Sequence, residues 1–234
     1  MKNKPLIVVI TVISVLFAVF LLIKHNPIVT NSTNINNDFN IIIDAGHGGE
    51  DGGAVAPDGS LEKDYNLDIA LRLKQVLTFY GYNVITTRTT DTMTCNDGLK
   101  TQREKKISDI RNRLKLINSI DNPVFVSIHQ NKFSDPSQHG SQVFYSKNNS
   151  HSKTLADEIQ NSIISTIQID NRRKTKPSGT EIYLLYHSHV PSVLVECGFL
   201  SNNDDLLKLK EDKYRNELAI VIADGIINFL NKTG

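Results

Sequence analysis

The sequence predicts an α/β fold, with a largely parallel sheet covered by helices on both faces. Two observations carry this reading. Aliphatic and β-branched runs, Ile41–Ile43, Val124–Ile128 and Ser192–Val195, stop at polar or glycine-rich stretches, as buried strands do. Between them lie segments whose apolar residues step by three and four, the period of a helix with one buried face. Strands alternating with helices of such length favour a parallel sheet, because parallel neighbours need a long crossover between them.

Taken in order, the first strand is Ile41–Ile43. Glu62–Tyr80 reads as a helix, with Leu67, Ala70, Leu71, Leu77 and Tyr80 on one face and Gly81 as its stop. Asn83–Thr87 is a second strand. A polar loop then leads to a helix over about 101–118, where Ile107, Ile110, Leu114 and Ile117 form the apolar stripe. Strands Val124–Ile128 and Gln142–Tyr145 follow, then a helix around Thr154–Ile167. The run Ile182–Leu185 is expected to be extended, and Ser192–Val195 is the last strand. Helix Tyr214–Leu230 closes the chain with Leu218, Val221, Ile222 and Ile226 along one face.

The 26 basic and 25 acidic side chains nearly cancel, so no overall field points to nucleic acid. Two cysteines are too few for a disulfide-stapled scaffold. Leu6–Ile23 is uncharged, follows Lys2 and Lys4, and reaches about the length of a membrane-spanning helix. The lysines place the N-terminus in the cytoplasm and the remainder outside. No small-residue cleavage site follows, so an uncleaved anchor fits better than a removed signal; export is expected in both cases. The expected organisation is a membrane anchor or signal segment over 1–25, a polar linker over 26–38 and one catalytic domain over 39–234.

The chemistry gathers where predicted strands end. The first runs into Gly46-His47-Gly48-Gly49, Val124–Ile128 into His129, and Ser192–Val195 into Glu196; Glu62 opens the helix beyond the glycine loop. Ligands of open α/β sheets bind beyond the carboxyl ends of the strands, where these residues would converge. Two imidazoles and one carboxylate are a catalytic zinc set that leaves a position for water. His47, Glu62 and His129 are therefore assigned as zinc ligands, and Glu196 as the general base of a metal-assisted amide hydrolysis.

Each residue has a plainer reading. A strand-end histidine is often a hydrogen-bonded structural residue, and Glu62 suits a helix first turn on dipole grounds alone. Glu196 is harder to dismiss, since a carboxylate after Val-Leu-Val needs a partner or a task. His187 and His189 form an alternative chelating pair, ranked second. His25, His139 and His151 lie in polar stretches and read as solvated. Cys197 reads as a small buried support for Glu196, not as a nucleophile.

These residues sit in blocks that resemble the zinc-dependent N-acetylmuramoyl-L-alanine amidases of bacterial cell walls, catalytic type three. The blocks are Ile43–Ala54, Glu62-Lys63 with Asn66-Leu67, Thr87-Arg88 with Asp91, Ser127–Asn131, and Pro191–Asn202. Five in order, spread from Phe39 to Leu230, make the resemblance specific. It implies a mixed, mostly parallel six-stranded sheet with flanking helices. It also implies His47, Glu62 and His129 as Zn2+ ligands and Glu196 as the catalytic glutamate. The implied substrate is peptidoglycan, cut at the amide joining N-acetylmuramic acid to L-alanine of the stem peptide.

One apolar N-terminal segment, no wall-binding repeats and the stretch Lys106–Lys115 look similar to CwlD-type spore-cortex amidases. Those strip peptides so that muramic-δ-lactam can form and germination can proceed, which implies an exported enzyme on the forespore or cortex side. The resemblance is compatible with a regulatory protein partner that orders the site. Gln130, where relatives commonly have a small residue, is expected to narrow the cleft or touch substrate. Rival readings are a vegetative autolysin of the same chemistry, a zinc peptidase acting within the stem peptide, and a non-catalytic wall-binding relative.

Overall fold

The computed structural model describes residues 39–233, so the expected anchor and linker lie outside the described residues. The elements are β1 (Asn40–Ala45), α1 (Glu62–Phe79), β2 (Asn83–Thr86), α2 (Gln102–Ser119), β3 (Pro123–Asn131) and β4 (Gln142–Tyr145). They continue as α3 (His151–Thr166), β5 (Lys176–Pro177), α4 (Tyr183–His187), β6 (Ser192–Phe199), α5 (Asn203–Lys210) and α6 (Asp212–Thr233). No helix among the described residues is long and apolar enough to cross a membrane.

The strands form one six-stranded sheet in the order β2-β1-β3-β6-β4-β5. All neighbours are parallel except β4 and β6. This is the mixed, mostly parallel sheet that the resemblance implied. Ile41–Ile43, Val124–Val126 and Val193 are fully buried, as central strands covered on both faces require. On one face Ile42, Phe125 and Leu194 pack with Ile117 of α2 and Leu184 and Leu185 of α4. Helices α1 and α3 pack against the strands, and α6 packs along both of them. Helix α2 starts at a complete capping box, in which the Thr101 side chain accepts from the Glu104 amide and the Glu104 side chain accepts from the Thr101 amide.

Three elements differ from expectation. Ile182–Leu185 is not extended; Tyr183–His187 is a short helix. A four-residue apolar run carries no period, and packing of Leu184 and Leu185 against α2 and the sheet decides its state. Strand β5 is only two residues long, too short to leave a pattern. Helix α5 did leave signals: Asn202 caps it by accepting from the Asp205 amide, with acids in its first turn and lysines in its last.

Gly225 sets how closely α3 and α6 approach. A Cβ there would lie 2.5 Å from the Cα of Ile159, and backbone cannot swing aside. Gly225→Ala is expected to destabilise the protein by about 1–3 kcal/mol despite the better helix propensity of alanine, because overpacking outweighs it. Thermal unfolding of the variant checks this, and an unchanged or raised midpoint refutes it.

Candidate metal centre

Strand β1 ends in a loop built around small residues. A side chain at Gly46 would collide with the His129 ring, 2.2 Å from its Nε2. At Gly53, with φ of 68°, a Cβ would lie 2.6 Å from Glu62 Oε2 and 2.7 Å from the His47 ring. These glycines clear the volume in which three polar side chains meet.

Donor atoms of His47, Glu62 and His129 lie within 4.8 Å of one another. Glu62 Oε2 is 3.2 Å from His47 Nε2, and its Oε1 is 2.8 Å from His129 Nδ1. Two ligands held about 2.0–2.1 Å from one tetrahedral ion sit about 3.3 Å apart, close to the Glu62–His47 separation, and the donor set fits zinc in kind. Among the described residues no other group of three or more His, Cys, Asp or Glu donors converges in this way. His187 instead stacks against Tyr183 and Tyr186.

Neighbours hold each of these residues in place. Asp51 Oδ2 lies 2.8 Å from His47 Nδ1, which leaves Nε2 toward Glu62. Glu62 accepts from the Ala54 amide at 2.8 Å, the Asn66 side chain at 3.2 Å and the Gln130 amide at 3.1 Å. That last amide lies on the β1 side of β3, just past the last pair of that ladder, Ala45 with Ile128. His47 has a φ of 60°, uncommon for a residue with a side chain. Its carbonyl is gripped by Arg113 Nη2 at 2.7 Å.

Arg113 reaches this point from α2 through the core. It donates to Asp44 at 2.6 Å, Asp109 at 2.8 Å and the Ala45 carbonyl at 2.8 Å. Arg88 grips the Ala45 and Gly46 carbonyls, and Asp91 accepts from the Gly49 amide at 2.8 Å. The Thr87-Arg88 and Asp91 block therefore acts as scaffolding for the glycine loop.

Glu196 lies opposite His129 in the β3–β6 register, and its Oε2 is buried with no hydrogen-bond partner among the described residues. Burial pushes its carboxyl up to about 7, and the Glu62 charge adds to this against the opposing His129 and His47. Burial raises Glu62 too, but hydrogen bonds and charge from His129 and His47 outweigh it and hold the carboxyl well below the usual range. Burial opposes charge on His47; Asp51 and Glu62 overcome it and lift the imidazole to about 9. The two glutamates thus differ in character: Glu62 is a fixed anion and Glu196 a group that exchanges a proton near neutrality.

One residue reads differently in three dimensions. Gln130 is buried and its Nε2 donates to Asn66 at 3.2 Å, so it faces the protein interior instead of the cleft. Cys197 is buried and free, its thiol pushed up by burial and the Glu196 charge, as its support role expects. Asp51 and Arg113 escaped sequence reasoning. Asp51 stands four residues after His47, the one local signal available; nothing local marks Arg113.

Asp44 gives a pH-dependent consequence. Burial raises its carboxyl, but Arg113 and the Ser127 hydroxyl prevail and hold it below its ordinary 3.8. Its contribution to stability is therefore complete above about pH 4 and is lost as pH falls through the lower folded value. Asp44→Asn is expected to unfold at lower urea concentration than the parent at pH 7, with the gap narrowing toward pH 3. A gap independent of pH refutes this.

Fold and donor cluster together are those expected of a hydrolase built on a mostly parallel α/β sheet, with its polar donors gathered at the strand termini. The N-acetylmuramoyl-L-alanine amidase family matches residues 41–228, and the chain belongs to that family. The germination-specific N-acetylmuramoyl-L-alanine amidase of Bacillus subtilis (strain 168) is 35% identical over 194 residues, spanning 83% of this chain and 81% of that protein. The N-acetylmuramoyl-L-alanine amidase LytC of the same organism is 31% identical over 219 residues, 90% of this chain but 40% of its own length. The CwlD amidase from Clostridioides difficile, solved in complex with the GerS lipoprotein, superposes with a TM-score of 0.80. It shares 39% identity, with 82% of this chain and 98% of that one covered.

Proposed function

We propose that this amidase holds zinc through His47, Glu62 and His129 and uses Glu196 as its proton carrier in spore-cortex peptidoglycan. The convergence of those three donors within 4.8 Å carries the reading. Bound there, zinc supplies Lewis acidity toward the scissile carbonyl and lowers the pKa of a water to about 7. Asp51 orients the His47 ring, and Glu62 fixes both imidazoles relative to each other. Glu196 accepts the proton of the attacking water and delivers it to the departing alanine nitrogen. The lactyl C–N bond breaks, leaving a carboxylate on muramic acid and an amine on the stem peptide.

The spore assignment draws on the germination-specific relative and on the CwlD neighbour. Peptide-free muramic acid would then be free to close to the δ-lactam that permits germination. On this reading residues 1–25 serve as a membrane anchor or signal segment, 26–38 as a linker, and 39–234 act outside the cytoplasmic membrane. The neighbour's complex with a lipoprotein supports a protein partner for this chain as well.

Digestion of purified peptidoglycan by the zinc-loaded full chain tests the proposal. New alanine amino termini and peptide-free glycan are expected, with loss of activity in a chelator and recovery on adding zinc. Cuts inside the stem peptide, or activity indifferent to chelation, overturn it.

A further inference from the structure

Arg172, Arg173, Lys174 and Lys176 place four cations within five residues of a chain whose net charge is only +1. Exposure alternates along them: Arg172, Lys174 and Lys176 face solvent, while Arg173 and Thr175 are half-buried. The alternation turns the three outward cations to solvent, while the residues between them face the protein. The inward residues lock the backbone. Arg173 donates to the His139 carbonyl at 2.7 Å and to Gln138 at 2.8 Å, and lies over the Phe199 ring. Thr175 donates to Asp157 at 2.6 Å, and Gln142 Nε2 donates to the Lys174 carbonyl at 2.8 Å. Among the described residues none of the three outward cations has a carboxylate partner, and Arg172 bonds only the Ile169 carbonyl.

The segment is joined to the reactive end. His129, Glu196 and Gln142 stand in one register row across β3, β6 and β4. Opposed residues of a ladder share a face, so Gln142 lies beside Glu196. Its Oε1 accepts from Arg173 Nη1 at 3.2 Å. From there the cations run onto β5, which pairs only with β4 and ends the sheet.

We propose that Arg172, Lys174 and Lys176 form a docking rim for the carboxylates of stem peptides on the peptidoglycan strand. This rests on the amidase reading, which supplies the substrate. A stem peptide is attached through the alanine nitrogen, so its opposite end carries a free carboxylate unless cross-linked. Successive peptides on a glycan strand thus offer a repeating set of anions to exposed cations on a backbone held in place through Gln142, the neighbour of Glu196. Lysine and proline on an end strand also discourage edge-to-edge pairing, a competing role that the test separates.

The full chain and an Arg172→Gln/Lys174→Gln/Lys176→Gln variant are each cosedimented with purified peptidoglycan. Its carboxylates are either free or amidated, and chelator is present to prevent turnover. The parent is expected to bind the free-carboxylate wall about tenfold more tightly, a preference that fades with added salt and is absent from the variant. A Lys174→Arg/Lys176→Arg variant keeps it, which separates lost charge from lost folding. Equal binding of both walls by parent and variant overturns the rim, as does a variant that self-associates yet still binds the wall like the parent. The readout needs no catalysis, so failure of the amidase reading shows separately, as missing alanine amino termini.

Discussion

Replacing Glu196 with glutamine is expected to lower turnover on peptidoglycan by about 10²–10⁴-fold while leaving zinc content unchanged. Glutamine matches glutamate in size but cannot accept and return a proton. The native carboxylate is costly to keep: its Oε2 is buried without a partner among the described residues, and burial lifts its pKa to about 7. Glu196→Gln should therefore be no less stable than the parent, and its melting temperature is expected to hold or rise. A purely structural glutamate behaves differently, losing stability and activity together. Metal analysis, thermal unfolding and digestion on one preparation separate the two. Retained activity removes Glu196 from the mechanism.

Arg113→Ala has the largest expected effect on stability. Both members of the Arg113–Asp44 pair are almost inaccessible, at 3% and 1%, and separated by 2.6 Å. Removing the guanidinium leaves Asp44 with the Ser127 and Thr87 hydroxyls alone, and an uncompensated buried charge of this kind costs about 3–5 kcal/mol. The same change frees the His47 carbonyl, which Arg113 holds at 2.7 Å. A residue at φ of 60° stays there only while its surroundings insist on it. Zinc affinity is accordingly expected to fall about 10–100-fold, as when a ligand loses its outer support. Denaturant unfolding and zinc titration in parallel give the two effects. Arg113→Lys should recover part of the stability, since charge returns, but little metal affinity, since one ammonium cannot reach four acceptors in the plane of a guanidinium. Unaltered zinc affinity in Arg113→Ala would restrict the arginine to a structural role.

Much of this could be read in the sequence, because much of it is local. Ile41–Ile43, Val124–Ile128 and Ser192–Val195 announce themselves as strands by their mostly apolar, β-branched character, and the helices over 62–79 and 102–119 by the period of their apolar residues. His47, Glu62, His129 and Glu196 were singled out because each follows a strand or opens a helix. The chain does bring the first three together, with Glu196 alongside His129.

What the sequence by itself determined was the alternation of strands and helices, and hence which residues lie at the carboxyl ends of the strands. Tertiary structure alone decided the rest. Leu184 and Leu185 turn helical because the α2 face needs them, Gln130 faces inward because Asn66 of α1 meets its side chain there, and Asp44 tolerates burial because Arg113 arrives from 69 residues away. Periodicity and capping act within a few residues and leave a mark on the sequence. Charge pairing in a core depends on distances through space, which no spacing along the chain records.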